Sequence, residues 1–248
     1  MRLLLLSNSR NPGQGYLEHV RDEIWNVLGP IDELLFVPYA GVQLSQEQYA
    51  ANVGRAFADF GIKLRSLSEA SDPVSAVRSA KAVAVGGGNS FQLLRRMYQN
   101  QLLDPMRERV LGGMPYIGWS AGSNLACPTI RTTNDMPIVE PPSLAALGLV
   151  PFQINPHYTD QVIANHGGET RAERIAEFLV LNPDVPVVGL KEGSWLRIEG
   201  GEVRLGGPHS LRLFNAGQMP RDILPGKVEL WFPVPHSESR GLSRAPGA

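Results

Sequence analysis

The stretch Gly118-Trp119-Ser120-Ala121-Gly122 places a serine between two glycines, directly after the apolar run Pro115-Tyr116-Ile117 and before a series of small residues. A serine on a sharp strand-to-helix turn projects its hydroxyl clear of the backbone. Glycines are needed on either side because a Cβ there would collide with neighbouring chain. At a helix N-terminus such a serine also has unpaired N–H groups beside it that can receive a developing oxyanion. An isolated G-x-S-x-G also occurs as a turn without chemistry, so the residues that could serve Ser120 decide its meaning.

A serine hydroxyl becomes nucleophilic near neutral pH when a base takes its proton, and histidine is the usual base. Of five histidines, His19 falls in a helical pattern among charged neighbours, His209 near a hairpin remote in sequence, and His236 in the C-terminal stretch. His157 ends the short strand pattern at 153–157 and is preferred as base. His166, in the loop Ala164-Asn165-His166-Gly167-Gly168, is the second choice as base and a substrate-binding candidate. The base in turn needs a carboxylate to hold its tautomer. Asp135 lies in a Thr- and Pro-rich segment, while Glu192 follows the apolar strand pattern at 185–190. A strand-end acid is held more rigidly, which favours Glu192, with Asp135 as the alternative or a support. Gly86-Gly87-Gly88-Asn89 lacks both the G-K-[ST] ending and the G-x-G-x-x-G spacing of nucleotide loops. It reads as a plain tight turn or as half of an oxyanion hole, with Gly88 N–H and Ala121 N–H converging on one oxygen.

These residues must be carried by a sheet. Apolar strand patterns at 3–6, 34–37, 62–67, 82–85 and 115–117 alternate with helical ones. Leu17, Val20, Ile24, Val27 and Leu28 share one helical face, and Ser45 with Gln48 forms a capping box for a helix ending at Gly61. Asp72-Pro73 and Asp104-Pro105 each supply an N-cap followed by a first-turn proline. Strands apolar throughout, alternating with helices, predict an α/β fold with a mostly parallel central sheet and helices on both faces, and ligands then gather at the carboxyl ends of the strands. Residues 128–142 read as a loop or short hairpin over the site, 169–181 as a helix with Ile175, Phe178 and Leu179 inward, and 195–205 as a hairpin. Residues 1–232 are expected to form one catalytic domain and 233–248 a flexible tail.

The charge balance, 23 basic against 24 acidic residues for a formal charge of −1, marks neither a nucleic-acid nor a membrane-surface binder. Any charged ligand must be recognised locally. The opening apolar run is too short for a signal peptide, no stretch reaches the roughly 20 apolar residues that span a bilayer, and the lone Cys127 excludes an internal disulfide or a multi-cysteine zinc site. A cytoplasmic protein without metal or cofactor is expected.

Val85-Gly86-Gly87-Gly88-Asn89-Ser90-Phe91, the block from Tyr116 to Val139 including Arg131-Thr132-Thr133-Asn134-Asp135-Met136-Pro137, Asn155-Pro156-His157 and the opening Leu3 to Ser9 resemble the peptidase E family. The order Ser…His…Glu is similar to the Cys…His…Glu order of class I glutamine-amidotransferase-like domains, with serine in place of cysteine. The resemblance implies a glutamine-amidotransferase-like, flavodoxin-like three-layer sandwich and hydrolysis of small dipeptides with an N-terminal α-linked aspartate. It also implies Ser120 as nucleophile and His157 as base; both Asp135 and Glu192 match family positions. An aspartyl substrate needs a cationic partner, for which Arg171 in Gly168-Glu169-Thr170-Arg171 is the first candidate, with Asn89 adding a hydrogen bond. The rival readings are a serine exopeptidase for other aspartyl or β-aspartyl substrates, and a non-catalytic small-acid sensor on the same fold.

Overall fold

The computed structural model describes residues 1–161 and 167–229. The chain opens with β1 (Arg2–Leu6), then α1 (Arg21–Leu28), β2 (Glu33–Val37), α2 (Gln46–Asp59), β3 (Lys63–Ser66), α3 (Pro73–Ser79), β4 (Val83–Val85), α4 (Ser90–Gln99), α5 (Leu103–Leu111), β5 (Tyr116–Trp119) and α6 (Ala121–Ala126). There follow β6 (Gln153–Tyr158), α7 (Arg171–Leu181), β7 (Val187–Lys191), β8 (Trp195–Glu199), β9 (Glu202–Gly206), β10 (Leu211–Phe214), β11 (Arg221–Ile223) and β12 (Gly226–Val228).

Eight strands form the main sheet in the order β12-β9-β8-β1-β5-β4-β2-β3. The five from β1 to β3 in that order run parallel, and β8, β9 and β12 extend the sheet antiparallel beyond β1. Alternate residues of each inner strand enter opposite cores, as the two-residue side-chain period of a strand requires. Leu3, Leu5, Val83 and Val85 pack with α3 to α6, whereas Leu4, Leu6, Phe36, Ala84 and Trp119 pack with α1 and α2. Both faces are therefore covered, which is why these strands are apolar at every position.

The local signals act as the residues dictate. The Ser45 side chain and Gln48 make a reciprocal capping box at α2, and Asp72 accepts from Ser75 N at the start of α3. Two boundaries differ from expectation. The Leu17 to Leu28 pattern begins as one tight turn at Glu18–Val20 before α1 starts. Helix α5 begins at Leu103 with Leu102 as its cap, so Asp104 and Pro105 lie inside the first turn, where proline's missing N–H has no intrahelical acceptor to lose.

The larger difference concerns β6 and β7. The sequence treats them as further strands of one sheet, whereas they form a second, four-stranded sheet ordered β11-β10-β7-β6, with α7 packed on it through Ile175 and Leu179. This sheet meets the main one at the carboxyl end of β1. Ser7 N donates to Ser194 O at 3.0 Å and Ser7 Oγ to Leu190 O at 2.8 Å. The expected tail at 233–248 and His166 lie outside the described residues.

Candidate active site

Ser120 sits between β5 and α6 with φ 52° and ψ −110°, a region that a side chain other than glycine adopts only when its surroundings hold it there. The flanking glycines allow it. A Cβ at Gly118 would lie 2.5 Å from the Gly122 carbonyl oxygen, and one at Gly122 would run into the Val85 carbonyl oxygen. Ser120 N donates to Leu6 O at 3.1 Å, tying the elbow to β1. Beneath it Trp119 stacks on Phe36 with ring centroids 5.8 Å apart. Trp119 Nε1 also donates to Tyr49 Oη at 3.3 Å, and Tyr49 Oη donates to Gly87 O at 3.0 Å. Burial holds the Tyr49 phenol well above its ordinary pKa, so it stays a donor to the glycine loop at any working pH.

His157, near the end of β6, also has positive φ, at 53°. Its backbone N–H donates to Ser7 Oγ at 2.8 Å. The ring completes a continuous chain: Nε2 lies 2.8 Å from Ser120 Oγ and Nδ1 lies 2.7 Å from Glu192 Oε1. Glu192 follows β7 in the turn that leads to β8, and Gly193 N in that turn donates to Asn8 Oδ1 at 2.7 Å. The His157 and Glu192 side chains are 37% and 58% exposed, so water reaches both and screens their interaction.

Asp135 lies elsewhere. Its Oδ2 accepts from Ser90 N, the first residue of α4, at 2.7 Å and from Thr133 Oγ1 at 2.9 Å, which makes it a clamp between the covering loop and that helix. The same loop is fixed to β6 by Thr132 Oγ1 donating to Ile154 O at 2.8 Å and Asn155 Nδ2 donating to Asn134 Oδ1 at 2.7 Å. Asn89 caps α4 through Gln92 N, and its amide donates to Met136 O at 2.8 Å, so both ends of the side chain are engaged in structure.

A cavity of about 750 Å³ opens over Ser120. Its wall includes Gly88, Asn89, Asp135, His157 and Glu192, together with Asn8, Ser9 and Arg10 after β1 and the apolar Val42, Leu44 and Ile138. The Ala121 N–H, first in α6, has no intrahelical acceptor. Gly88 has φ 136°, and a Cβ there would strike the Ala40 carbonyl oxygen, so its loop can turn its backbone toward the cavity only as glycine. Arg171 is not in this wall. It lines a neighbouring cavity of about 710 Å³ that shares His157 and Glu192 with the first. Desolvation, with Arg174 nearby, lowers the Arg171 pKa from its ordinary value. Its Nε is buried without a partner among the described residues.

Sequence reasoning missed Ser7 and Arg10. Both follow the carboxyl end of β1, where ligands gather in a parallel sheet, and that placement was the available signal. Cys127 is buried, and desolvation pushes its thiol up to about 12, which leaves it inert as a nucleophile. Among the described residues no group of three or more His, Cys, Asp or Glu side chains is arranged to hold a metal ion, and no helix is long and apolar enough to cross a membrane.

Residues 3–206 match the model of peptidase family S51. The chain belongs to that family. It is a serine-type peptidase. A peptidase E from Streptomyces coelicolor is 53% identical over 227 residues, covering 91% of this chain and 92% of that relative. A peptidase E from a Nostoc species is 49% identical over 225 residues, covering 90% and 93%. In three dimensions this S51 chain is similar to a crystal structure of a peptidase from an acI-B1 actinobacterium. The TM-score is 0.63 at 17% identity, with 90% of this chain and 96% of that one covered, a likeness of fold.

Proposed function

We propose that this peptidase is a cytoplasmic dipeptidase that hydrolyses α-linked Asp–Xaa through an acyl-enzyme on Ser120. The observation that carries the reading is the unbroken chain from Ser120 Oγ through the His157 ring to Glu192 Oε1, at 2.8 Å and 2.7 Å. With Nδ1–H donating to Glu192, Nε2 is free to accept the serine proton. Ser120 Oγ then attacks the aspartyl carbonyl carbon, and the carbonyl oxygen gains charge facing Gly88 N–H and Ala121 N–H. The imidazolium gives its proton to the leaving amine, the C–N bond breaks, and a water deprotonated by the same Nε2 hydrolyses the ester. Glu192 supports the imidazolium that forms in each half, and Asp135 holds the loop that covers the site. Arg171, desolvated and without an acid partner among the described residues, takes the aspartyl carboxylate from the cavity beyond His157. The names of the relatives agree with this substrate class. The buried, solitary Cys127 fits a reducing compartment.

The test is hydrolysis of Asp–Leu, Glu–Leu and β-Asp–Leu by the wild type and by Ser120→Ala. Cleavage of Asp–Leu alone, abolished in the variant, is the expected outcome. Retention of activity by Ser120→Ala removes the acyl-enzyme, and faster cleavage of β-Asp–Leu redirects the substrate.

A further inference from the structure

Among the described residues Arg10 is the one lysine or arginine in the wall of the Ser120 cavity. The two acids in that wall are engaged, Asp135 with Ser90 N and Thr133 Oγ1, Glu192 with His157. Arg10 forms no ion pair among the described residues. Its guanidinium is exposed, with its carbon 5.9 Å from the centroid of the Tyr16 ring. Its backbone is anchored. Arg10 O accepts from Asn8 Nδ2 at 2.8 Å, Asn8 Oδ1 accepts from Gly193 N beside Glu192, and Leu17 N donates to Ser9 O at 2.7 Å. An anchored cation without a carboxylate, facing a reaction cavity, is built to receive one.

Which carboxylate follows from the sheet order. Strand β5, which leads into Ser120, lies between β4 and β1. The Gly88 loop follows β4 on one side, and Arg10 follows β1 on the other. His157 is tethered on the β1 side through Ser7 Oγ. During acyl transfer the carbonyl oxygen points to the amides of Gly88 and Ala121, and the leaving nitrogen points to the imidazole that protonates it. The leaving residue therefore extends over the end of β1, toward Arg10.

We infer that Arg10 binds the free α-carboxylate of the leaving residue and so restricts the enzyme to substrates with a single residue beyond the scissile bond. The inference rests on the dipeptidase reading and adds to it a second cation for the second carboxylate of an Asp–Xaa substrate. A longer peptide presents a neutral amide where the carboxylate should be. The guanidinium then gains no charge-assisted contact from the substrate.

The experiment compares kcat/KM for Asp–Leu and for its C-terminal amide in the wild-type chain, Arg10→Gln and Arg10→Lys, with Asn–Leu as a third substrate. The loss of one charge-assisted contact predicts that the wild type prefers Asp–Leu to the amide by about 10- to 100-fold. In Arg10→Gln that preference collapses toward one through the loss on Asp–Leu, mainly in KM, and Arg10→Lys recovers part of it. Equal losses on both substrates, or no loss on Asp–Leu, overturn the assignment. A collapse of the preference for Asp–Leu over Asn–Leu instead places Arg10 on the aspartyl carboxylate and also overturns it. A wild type inactive on all three removes the dipeptidase reading and this inference together, whereas the other contrary outcomes remove this inference alone.

Discussion

Substituting Glu192 by Gln and Asp135 by Ala separates an acid that works on His157 from one that holds a loop. In Glu192→Gln the contact to His157 Nδ1 keeps its shape and loses its charge. The magnitude follows from the geometry of a 2.7 Å contact with both side chains partly exposed, at 37% and 58%. An imidazolium and a carboxylate with charge centres about 4 Å apart attract by about 4 kcal/mol at an effective dielectric constant near 20, and by about 1 kcal/mol in bulk water. Exposure places the pair toward the lower end of that range. A tenfold rate change corresponds to about 1.4 kcal/mol, so kcat falls by about 10- to 100-fold with the melting temperature unchanged. Asp135→Ala removes the acceptor for Ser90 N and Thr133 Oγ1 and weakens the start of α4 by about 0.5–2 kcal/mol, comparable with the loss of a helix cap. At about 2–4 °C per kcal/mol for a chain of this size, the melting temperature drops by about 1–8 °C. Steady-state hydrolysis of Asp–Leu and thermal melting of the same preparations provide both readouts. If Asp135→Ala, fully folded at the assay temperature, loses more kcat than Glu192→Gln, the division of labour argued from these distances is refuted.

Ser7→Ala leaves the His157 N–H and the Leu190 carbonyl without their partner at a fully buried position, each at a cost of about 1–3 kcal/mol; the expected result is a melting temperature lower by several degrees together with a reduced kcat, and wild-type values for both would contradict the anchoring role. Both His19 ring nitrogens are buried without a partner among the described residues, and desolvation lowers the pKa of the ring. The unfolded chain then takes up the proton first, so this group subtracts stability as pH falls below about 6.5, until the folded form is protonated as well. Denaturant melts between pH 7.5 and 5 should show a shallower loss for His19→Leu than for the wild type, and parallel curves would show that His19 plays no part.

The parallel half of the fold was legible because its signals are local. Each of β1, β2, β4 and β5 is a short apolar run beside a helical pattern, and the caps at Ser45 and Asp72 depend on partners three residues away. The second sheet was not legible for the converse reason. A short apolar run such as Val187 to Leu190 has the same pattern whichever sheet it joins, and its pairing with β6 and β10 is a long-range choice. In the site, Ser120 and His157 stand out by residue type and position at strand ends. The acid stands out less: its place at a strand end favours Glu192, but Asp135 is a carboxylate too, and only the folded chain sets Glu192 opposite the His157 ring and Asp135 opposite Ser90 N and Thr133 Oγ1. Arg10 was passed over because an exposed loop arginine carries no pattern, and its meaning arises only when β1 is placed beside β5.

That placement also explains how two strained residues can be held at once. Among the described residues the non-glycine positions with positive φ are Leu17, Gln101, Ser120 and His157, so two of the four are the pair whose side chains meet at 2.8 Å. Such conformations cost of order 1–3 kcal/mol each and persist only where neighbouring structure over-determines them. The neighbour common to both is the end of β1. Leu6 O accepts from Ser120 N and from Ser123 Oγ, and Ser7 Oγ accepts from His157 N. Nucleophile and base come from different sheets, following β5 of the main one and on β6 of the second, and the distance between them is set by two adjacent residues, the last of β1 and the one directly after it. Because Leu6 is central in the main sheet and Ser7 is fully buried, the cost of the strain is met by core packing. Small movements of the exposed loops therefore leave the reacting geometry in place.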